Sequence, residues 1–521
     1  MIPLFTSSQV READSFASNT LKIPGIILME NASINIYRSI RDHFIDLDQI
    51  NPIGILCGKG NNGGDGFAVA RHFINNGFNV IIILAGLRSE LKGDAKTNCD
   101  IVLNLIELKK SSNFIEYKNG KDLKKLSECS LIIDALLGTG TKGELREPYK
   151  SIIQKVNKLN SGKAAIDIPS GLNVDDGNGE IIFNSDLTVT LAELKRGLYF
   201  NKGYINSGRI KKGSIGIGSE YFDELKVEDY LIEPEDVYFS LPKREINAHK
   251  YSSGKVLVIA GSGKMPGAAC FTANASTKIG AGSMFLAFPE SVKSVAQEKL
   301  EVGVVYPYRD EMNEVLKVEN LDELESRLKW AGVIAVGPGL GREEKTQAAV
   351  KSIIKKYSKK NLVIDADGIY ALRNGKYKEL DLSNSILTPH YKEYADLVGK
   401  SVEEVENNLF YLGKKFSFET GAYLVLKGAP TIIFTPKGES IINTAGNAGM
   451  AKFGTGDVLT GLIAGLLSQH GDRETAAVSG VYIHSLSADL LKNKFTELGY
   501  SANDLLNNIP VTLKFLENSF V

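Results

Sequence analysis

Residues 447–469, NAGMAKFGTGDVLTGLIAGLLSQ, join a glycine-rich loop directly to an apolar helix. Leu459, Leu462, Ile463 and Leu466 recur at helical spacing, which predicts a buried helix over residues 458–469. The glycines ahead of this helix leave free backbone N–H groups that suit a phosphate or a developing negative charge. Asp457 lies where its carboxylate can reach a bound hydroxyl group, although it could instead simply cap the helix.

The strand pattern around this stretch indicates an α/β fold. Apolar runs alternate with helices in a block of KVLVIAG, SMFLAF, WAGVIAVGPG, NLVIDADG, NSILTPH and AYLVLKG, followed by the hairpin TIIFTPKGESIIN. An earlier block repeats the alternation with PIGILCG, NVIIILAG, LIIDALLG, KAAIDIPSG and DLTVTL. Each block predicts a mainly parallel sheet between two helix layers. We expect two domains, residues 1–220 and 245–521, joined by an acid-rich linker at residues 221–244.

Composition restricts the function. A chain of 521 residues is long for one hydrophobic core, and a net charge of −1 gives no basis for a nucleic-acid or membrane surface. The four cysteines lie far apart without a C-x-x-C pair, which fits a reducing cytoplasm and no zinc site. The sequence shows no signal-peptide pattern, and its longest apolar runs have strand length. The mixed run LKKSSNFIEYKNGKDLKK, residues 108–125, is interpreted as a solvated face.

Polar residues follow three strands of the first block. CGKGNNGGDGFAVARH opens a helix after a strand, DALLGTG carries Asp134 into a glycine loop, and AIDIPSGLN carries Asp167 to a strand end. Because ligands of open α/β sheets bind beyond the carboxyl ends of the strands, these residues predict one polar pocket. Asp65 could instead only cap its helix. A carboxylate at this edge can act as a general acid or base, and Asp167 is the candidate.

The first block resembles the NAD(P)H-hydrate epimerase family, also called the YjeF N-terminal family. IPGIILMENAS, GNNGGDG, DALLGTG, DIPSGLN and DLTVTLAELKRGL carry the resemblance over residues 1–218. It implies a Rossmann-like domain that epimerises the hydrated nicotinamide at C6 with a bound potassium ion, held by Asn62, Asp134 and Ser170. The implied substrate residues are Asn61, Asn62, Gly63, Gly64, Asp65, Gly138, Thr139, Gly140, Thr141, Lys142, Gly143, Glu144 and Asp167.

The second block resembles the ribokinase-like superfamily, and within it the ADP-dependent NAD(P)H-hydrate dehydratases. GVIAVGPGLG, VIDADG, LTPHYKEY, VLKGAPTII and the opening stretch carry the resemblance over residues 247–508. His390 stands where many kinase relatives have asparagine, which favours the dehydratases. The implied ADP site is Lys427, Gly428, Ala429, Pro430, Thr431, Asn447, Ala448, Gly449, Met450, Ala451, Lys452, Phe453, Gly454, Thr455 and Gly456. The implied substrate site is Ala268, Gly341, His390, Tyr391, Lys392, Glu393, Tyr394, Ala395, Asp396 and Asp457.

Together the two resemblances imply a cytoplasmic enzyme that repairs hydrated NADH and NADPH. One domain would interconvert the R and S hydrates, and the other would dehydrate the S form while ADP becomes AMP and phosphate. We expect Mg²⁺ with ADP, Glu393 as an outer-shell holder of that ion, and a homo-oligomer. Two alternatives stay open from the sequence, an ATP-dependent kinase for a small alcohol such as a vitamin precursor, and a nucleotide-sensing regulator.

Overall fold

The computed structural model describes residues 1–110, 112–140, 144–310 and 315–520. The chain forms two compact units, the first Pro3–Val227 and the second Glu228–Val521 together with Met1–Ile2. Two sheet-centred α/β units are what the alternating strand pattern predicts, and the fold class is confirmed. Among the described helices, not one combines the length and the hydrophobicity that a bilayer-spanning segment needs.

The first unit is built on a parallel sheet of seven strands in the order β4-β3-β2-β5-β6-β7-β8. Its central strands are buried on both faces, which explains their continuous aliphatic sequences. Its strands are β2 (Ile53–Cys57), β3 (Val80–Leu84), β4 (Asn113–Glu116), β5 (Leu131–Ala135), β6 (Gly162–Ile166), β7 (Leu187–Leu191) and β8 (Arg209–Gly213). The short strand β1 (Ile2–Leu4) precedes them in the chain and does not belong to this sheet. The helices are α1 (Ser7–Asn19), α2 (Gly25–His43), α3 (Asn61–Asn75), α4 (Gly93–Lys109), α5 (Tyr149–Val156), α6 (Asn201–Asn206) and α7 (Glu220–Asp223).

The second unit has a larger sheet in which the order β9-β18-β17-β16-β15-β14-β13-β10-β11-β12 holds. The hairpin β17–β18 pairs antiparallel as predicted. The strands are β9 (Asp229–Leu231), β10 (Lys255–Ile259), β11 (Ser283–Pro289), β12 (Val304–Tyr308), β13 (Val333–Val336), β14 (Asn361–Ile364), β15 (Ser385–Leu387), β16 (Tyr423–Leu426), β17 (Thr431–Phe434) and β18 (Ser440–Asn443). The helices are α8 (Pro234–Ser240), α9 (Pro266–Lys278), α10 (Lys293–Lys299), α11 (Asn320–Trp330), α12 (Glu344–Lys356), α13 (Asp367–Tyr370), α14 (Tyr391–Val398), α15 (Val402–Asn407), α16 (Leu409–Thr420), α17 (Thr455–His470), α18 (Arg473–Lys494) and α19 (Ala502–Phe520).

Two polar segments contain more structure than their composition indicates. The run interpreted as a solvated face includes β4, which pairs with β3 at the edge of the sheet. Asn113 of β4 is exposed, and its other three residues are half-buried. The segment predicted as a linker includes β9 and α8, and Leu231 and Val237 from these elements are buried. Strand β9 pairs with β18. In these segments the apolar residues are too few among the acids to show the repeated spacing by which a helix or strand is recognised from sequence.

Candidate functional site

The carboxyl ends of β2, β5 and β6 surround a cavity of about 500 Å³ in the first unit. This edge is where the parallel sheet predicts a ligand site. The cavity lining contains seven of the predicted substrate residues, namely Asn61, Asn62, Asp65, Gly138, Thr139, Gly140 and Asp167. Gly138 lies next to both side chains: an added Cβ would be in van der Waals contact with Cβ of Asn62 at 3.4 Å and Oδ2 of Asp167 at 3.5 Å. The glycine loop therefore brings two separate strand ends together.

Three of the other predicted substrate residues, Gly63, Gly64 and Glu144, do not line this cavity. Gly63 and Gly64 are buried inside α3, and an added Cβ on Gly63 would lie 1.9 Å from the carbonyl oxygen of Gly58. Glu144 is exposed and does not line the cavity. Thr141, Lys142 and Gly143 lie outside the described residues.

Helix α3 begins inside the glycine-rich motif, four residues before Asp65. It starts at Asn61 after Gly60, and no side chain caps it. Asp65 therefore lies past the first turn and is buried in the cavity wall, so the capping interpretation of this residue is wrong. Its carboxylate faces the ligand space.

Asp134 and Ser170 form a buried pair beside this cavity. The Ser170 backbone N–H and hydroxyl donate to the Asp134 carboxylate at 2.7 and 2.8 Å, and both residues are fully buried. Burial raises the pKa of Asp134 to about 6. Among the described residues, no lysine, arginine or histidine forms an ion pair with it. A buried carboxylate without a cationic side chain is costly, and a bound cation would compensate it.

Asn62 supplies the second sign of a cation site. Its side chain is only 8 % exposed, and within the described part of the chain neither its amide oxygen nor its amide nitrogen has a hydrogen-bond partner. The described residues contain no group of three His, Cys, Asp or Glu side chains placed to hold a metal ion. Carboxylate, amide and hydroxyl oxygens fit a hard cation such as an alkali ion rather than a soft metal.

Asp167 and Lys195 form an ion pair in the cavity wall. The Lys195 Nζ lies 2.8 Å from Oδ1 of Asp167, and the lysine side chain is fully buried. Asp167 has φ 68°, a backbone conformation uncommon for residues other than glycine. Such strain persists where the surrounding structure imposes it, and it is common at functional sites. The pair therefore fixes the carboxylate in one position.

Two further carboxylates face the same space. Asp14 of α1 lines the cavity, and burial, followed by the Asp167 charge, raises the pKa of Asp14 to about 6. Burial, with the charges of Asp167 and Asp14, raises the pKa of Asp65 well above its usual value. The sequence analysis did not identify Asp14 or Lys195, because both lie outside the three strand-end motifs. The cavity thus combines one carboxylate in an ion pair, Asp167, with two carboxyl groups whose pKa is raised above the usual value, Asp14 and Asp65.

In the second unit, the helix predicted from the opening stretch is α17. It begins at Thr455, three residues earlier than predicted, and Gly454 precedes it with φ 92°. Leu459, Leu462 and Leu466 are buried, as their spacing predicts. No side chain caps the helix, so the interpretation of Asp457 as a mere cap is wrong. Its carboxylate stays available in the first turn, beside uncapped N–H groups.

The electrostatic surroundings of Asp457 favour its protonated form. Burial, followed by the charge of Asp365, raises the pKa of Asp457 to about 7, Lys427 acts in the opposite direction, and Asp367 adds to the rise. A carboxylate that titrates near neutral pH is suited to general base catalysis. This perturbation, at the carboxyl end of a sheet, marks a functional site.

Asp365 connects the residues around Asp457. Its Oδ1 accepts a hydrogen bond from Nζ of Lys427 at 2.8 Å, and its Oδ2 accepts one from Oγ1 of Thr460 at 2.7 Å. Burial is the largest single effect and lowers the pKa of Lys427, but the charges of Asp365, Glu393 and Asp457 and the hydrogen bond to Asp365 together outweigh it and raise this pKa. The motif DADG after β14 was the signal for Asp365, because it places two acids at a strand end.

His390 and Glu393 form a capping box at the start of α14. The His390 Nδ1 accepts hydrogen bonds from the backbone N–H groups of Lys392 and Glu393 at 3.1 and 3.2 Å, while a Glu393 carboxylate oxygen accepts from His390 N–H. The His390 Nε2 lies 3.5 Å from the other Glu393 carboxylate oxygen, so the two side chains lie side by side. Tyr394 and Ala395 are buried, whereas Lys392 and Asp396 form an ion pair with each other. Among the predicted residues of α14, those buried in the core cannot contact a ligand.

The loop before α17 is held by its own side chains. The Asn447 Oδ1 accepts hydrogen bonds from Gly449 N–H and from the Tyr500 hydroxyl, and Lys452 Nζ donates to the carbonyl oxygen of Glu497 at 3.1 Å. Phe453 is fully exposed. Thus Asn447 and Lys452 shape the loop, and the exposed Phe453 ring is accessible to a ligand.

Gly341 and Ala268 approach the site from two other elements. The Gly341 N–H donates to Oδ2 of Asp367 at 2.9 Å, and both residues line a second cavity of about 810 Å³. The Thr272 hydroxyl lies 3.0 Å from the carbonyl oxygen of Ala268 and 3.1 Å from that of Asp457. The Thr272 contacts connect α9, which carries Ala268, to the first turn of α17, whereas the Gly341 contact connects the loop after β13 to Asp367.

Two family models match the chain. One, described as NAD(P)H-hydrate dehydratase, matches residues 256–511, and the other, described as YjeF-related protein N-terminus, matches residues 25–197. A bifunctional NAD(P)H-hydrate repair enzyme Nnr from Moorella thermoacetica is 34% identical over 529 residues, which cover 99% of this chain and 97% of that protein. A protein of the same name from Coxiella burnetii is 33% identical over 98% of this chain and 99% of its own length.

A solved structure is similar to the second unit. It is an ADP/ATP-dependent NAD(P)H-hydrate dehydratase from Bacillus subtilis co-crystallised with ATP/Mg²⁺. The two sequences are 28% identical, the match covers 55% of this chain and 98% of that chain, and the TM-score is 0.46.

Proposed function

The chain belongs to the family of bifunctional NAD(P)H-hydrate repair enzymes, and we propose that its two sites act on one damaged coenzyme. It is an enzyme with an epimerase domain and a nucleotide-dependent dehydratase domain. The epimerase site is the cavity around Asp167, and it interconverts the R and S hydrates of NADH and NADPH. The dehydratase site surrounds Asp457 and converts the S hydrate to NAD(P)H while ADP becomes AMP and phosphate.

In the epimerase site, Asp167 acts as the general acid and base that moves a proton while C6 is inverted. Its ion pair with Lys195 and its constrained backbone hold the carboxylate in place. Asp14 and Asp65 retain protons at higher pH than ordinary carboxyl groups, so they can donate hydrogen bonds to the substrate. Potassium, held by Asn62, Asp134 and Ser170, would supply a fixed positive charge next to the cavity.

In the dehydratase site, Asp457 takes the proton of the C6 hydroxyl group. The hydroxyl oxygen then attacks the terminal phosphoryl group of ADP, and AMP leaves. The lone pair of the ring nitrogen expels the phosphate from C6, and loss of the C5 proton restores the dihydropyridine. Phosphate is a far better leaving group than hydroxide, which explains why a kinase-like site serves a dehydration. The free N–H groups at the start of α17 stabilise the phosphoryl group in transit.

The observation that carries this proposal is the position of Asp457 in the first turn of α17, a helix that no side chain caps. Its pKa lies near neutral pH, and the free N–H groups beside it can bind phosphate. The nucleotide would lie against residues 427–431 and 447–456. Lys427, already charged and held by Asp365, faces the glycine turn: an added Cβ on Gly456 would lie 3.3 Å from its Nζ. Mg²⁺ on the ADP phosphates supplies positive charge that lowers the cost of phosphoryl transfer, with Glu393 as its outer-shell holder.

One assay with two variants tests both sites. Full-length protein is mixed with both epimers of hydrated NADH, ADP and Mg²⁺, and the dihydropyridine absorbance is followed. We expect the unmodified protein to recover both epimers, Asp167→Asn to leave the R hydrate, and Asp457→Asn to leave both. Asp322→Asn, which changes an exposed aspartate in α11, is the matched control and should behave as the unmodified protein. A stable phosphorylated product would instead support the kinase alternative, and no recovery at all would refute the repair function.

The domain limits, location and assembly are proposals of the same kind. We place the epimerase domain at residues 1–220, the linker at 221–244 and the dehydratase domain at 245–521, in a cytoplasmic homo-oligomer that acts on small molecules. Separate expression of residues 1–220 and residues 245–521 tests these limits, because each fragment should retain one activity. Light scattering of the full chain tests the assembly, since a mass equal to one chain would contradict it.

A further inference from the structure

A small basic cavity lies in the second unit between α12 and the segment that follows β14. It encloses about 260 Å³, and four cationic side chains line it, Arg342, Lys351, Arg373 and Lys376, against one acid, Glu344. Pockets for drug-sized ligands usually exceed about 300 Å³. The cavity is therefore suited to a charged fragment of a ligand rather than to a whole dinucleotide.

Three of the four cations of this basic cavity have no anionic partner among the described residues. Arg342 is partly compensated by Asp367, whose Oδ1 lies 3.0 Å from its Nε. No carboxylate in the described part of the chain pairs with Lys351, Arg373 or Lys376. The guanidinium carbons of Arg342 and Arg373 lie 4.6 and 3.7 Å from the centre of the Tyr370 ring, so two like charges share one aromatic ring. A bound dianion would remove this repulsion and make charge-assisted hydrogen bonds.

A buried acceptor indicates that the anion carries a hydroxyl group. Gln347 lines the basic cavity and donates from Nε2 to the carbonyl oxygen of Gly341 at 3.0 Å. Its Oε1 is buried and has no hydrogen-bond partner among the described residues. Lysine and arginine already fill the cavity with donors, but an acceptor requires a donor from the ligand. A phosphate monoester on a sugar provides both the dianion and a neighbouring O–H group.

The basic cavity adjoins the dehydratase site. Arg342 and Glu344 also line the 810 Å³ cavity, together with Gly341 and Asp367. Gly341 is one of the predicted substrate residues, so a substrate bound beside it in the larger cavity lies next to the basic cavity. A further polar group in its wall, the hydroxyl of Ser262, is buried without a partner among the described residues. One extended ligand can therefore occupy both the larger cavity and the basic cavity.

We propose that the basic cavity binds the 2′-phosphate and the adjacent ribose hydroxyl of hydrated NADPH, which makes the dehydratase selective for hydrated NADPH over hydrated NADH. This inference rests on the proposed dehydratase function. The guanidinium of Arg373 and the ammonium of Lys351 hold the phosphate oxygens, and Gln347 accepts from the ribose hydroxyl. The chemistry recognised is a sugar phosphate monoester, which a separate small metabolite could also supply.

The test compares two substrates. The double variant Lys351→Gln/Arg373→Gln of the full chain is assayed with hydrated NADPH and hydrated NADH under the same salt conditions. Hydrogen bonds to charged groups contribute about 1.5–3 kcal/mol each, so the loss of two should lower the NADPH/NADH ratio of kcat/KM roughly 100- to 10,000-fold. Lys355→Gln removes an exposed charge from the same helix and should leave the ratio unchanged. A ratio that the double variant does not change, including an equal loss for both substrates, overturns the proposal.

A binding measurement separates the sources of phosphate and does not depend on turnover. By calorimetry, adenosine 2′-monophosphate should bind the unmodified protein at least tenfold more tightly than the double variant, and it should compete with hydrated NADPH. If inorganic phosphate binds equally well and does not compete with hydrated NADPH, the cavity serves a separate anion and the proposal is wrong. If neither hydrate is dehydrated by the unmodified protein, the proposed function fails, while the calorimetric result still decides whether the cavity binds a sugar phosphate.

Discussion

Replacement of Asp365 by asparagine should lower the pH at which the dehydratase becomes active. In the unmodified protein the pKa of Asp457 is raised from 3.8 to about 7. This rise corresponds to roughly 4 kcal/mol of disfavoured ionisation. Because the base is the carboxylate form, kcat/KM should increase with pH and level off above about pH 7. At pH 6 only about a tenth of the Asp457 side chains are ionised, so kcat/KM should be about a tenth of its plateau.

The Asp365→Asn variant changes two of the causes of this pKa and leaves the largest one. Burial remains, but the carboxylate that disfavours ionisation of Asp457 is lost, and Lys427 loses its partner at 2.8 Å and becomes free to interact with Asp457. Both changes lower the pKa of Asp457. We expect a decrease of about one pH unit, or about 1.4 kcal/mol. Asparagine keeps an acceptor oxygen for Thr460, so this contact can persist.

The assay measures kcat/KM for the S hydrate from pH 5 to pH 9 with saturating Mg²⁺ and ADP, each profile scaled to its own plateau. A pKa near 6 leaves about half of the Asp457 side chains ionised at pH 6, so the scaled rate of the variant should be about five times that of the unmodified protein. Breaking a buried ion pair costs about 3–5 kcal/mol of stability, so unfolding is measured in parallel. Asp322→Asn should not move the profile. An acidic limb that stays in place or moves to higher pH would refute the role of Asp457 as base.

Three other changes test the remaining structure. Lys195→Met should lower epimerase activity about 100-fold, because Asp167 loses its partner, while dehydration of the isolated S hydrate continues; equal loss of both activities would contradict this. Asn62→Leu should abolish the thermal stabilisation that KCl gives relative to choline chloride. This stabilisation amounts to about 2.7 kcal/mol when the potassium concentration is 100 times its Kd. Undiminished stabilisation would argue against Asn62 as a ligand. Gly461→Ala should lower the free energy of unfolding by about 1–3 kcal/mol in denaturant titrations, because its Cβ would lie 2.2 Å from the Thr272 carbonyl oxygen; unchanged stability would show that α9 yields without cost.

The sequence predicts most of the fold, because buried parallel strands are continuous aliphatic runs and turns carry glycine. It also locates Asp167 and Asp457, since each adjoins the end of a strand or the start of a helix in a glycine-rich motif. Asp14 escapes such reasoning because it joins the site only through folding, whereas Lys195 lies in the motif DLTVTLAELKRGL, where nothing singled it out from the other charged residues. The Lys427–Asp365 pair spans 62 residues and was visible only as two separate strand ends. The starts of α3 and α17 are hard to predict for another reason. Both helices begin inside glycine loops, where no capping side chain marks the first residue.

The position of Asp457 reconciles two opposing electrostatic effects. A carboxylate in the first turn of a helix is stabilised by the helix dipole, which favours its charged form. Here burial and the nearby acids outweigh that effect, because the pKa of Asp457 rises to about 7. The N-terminal position therefore does not serve to keep Asp457 ionised. It places a base of near-neutral pKa beside the uncapped N–H groups after Gly454, where a transferring phosphoryl group can bind. Deprotonation of the hydroxyl group and its phosphorylation can then occur at the same helix turn.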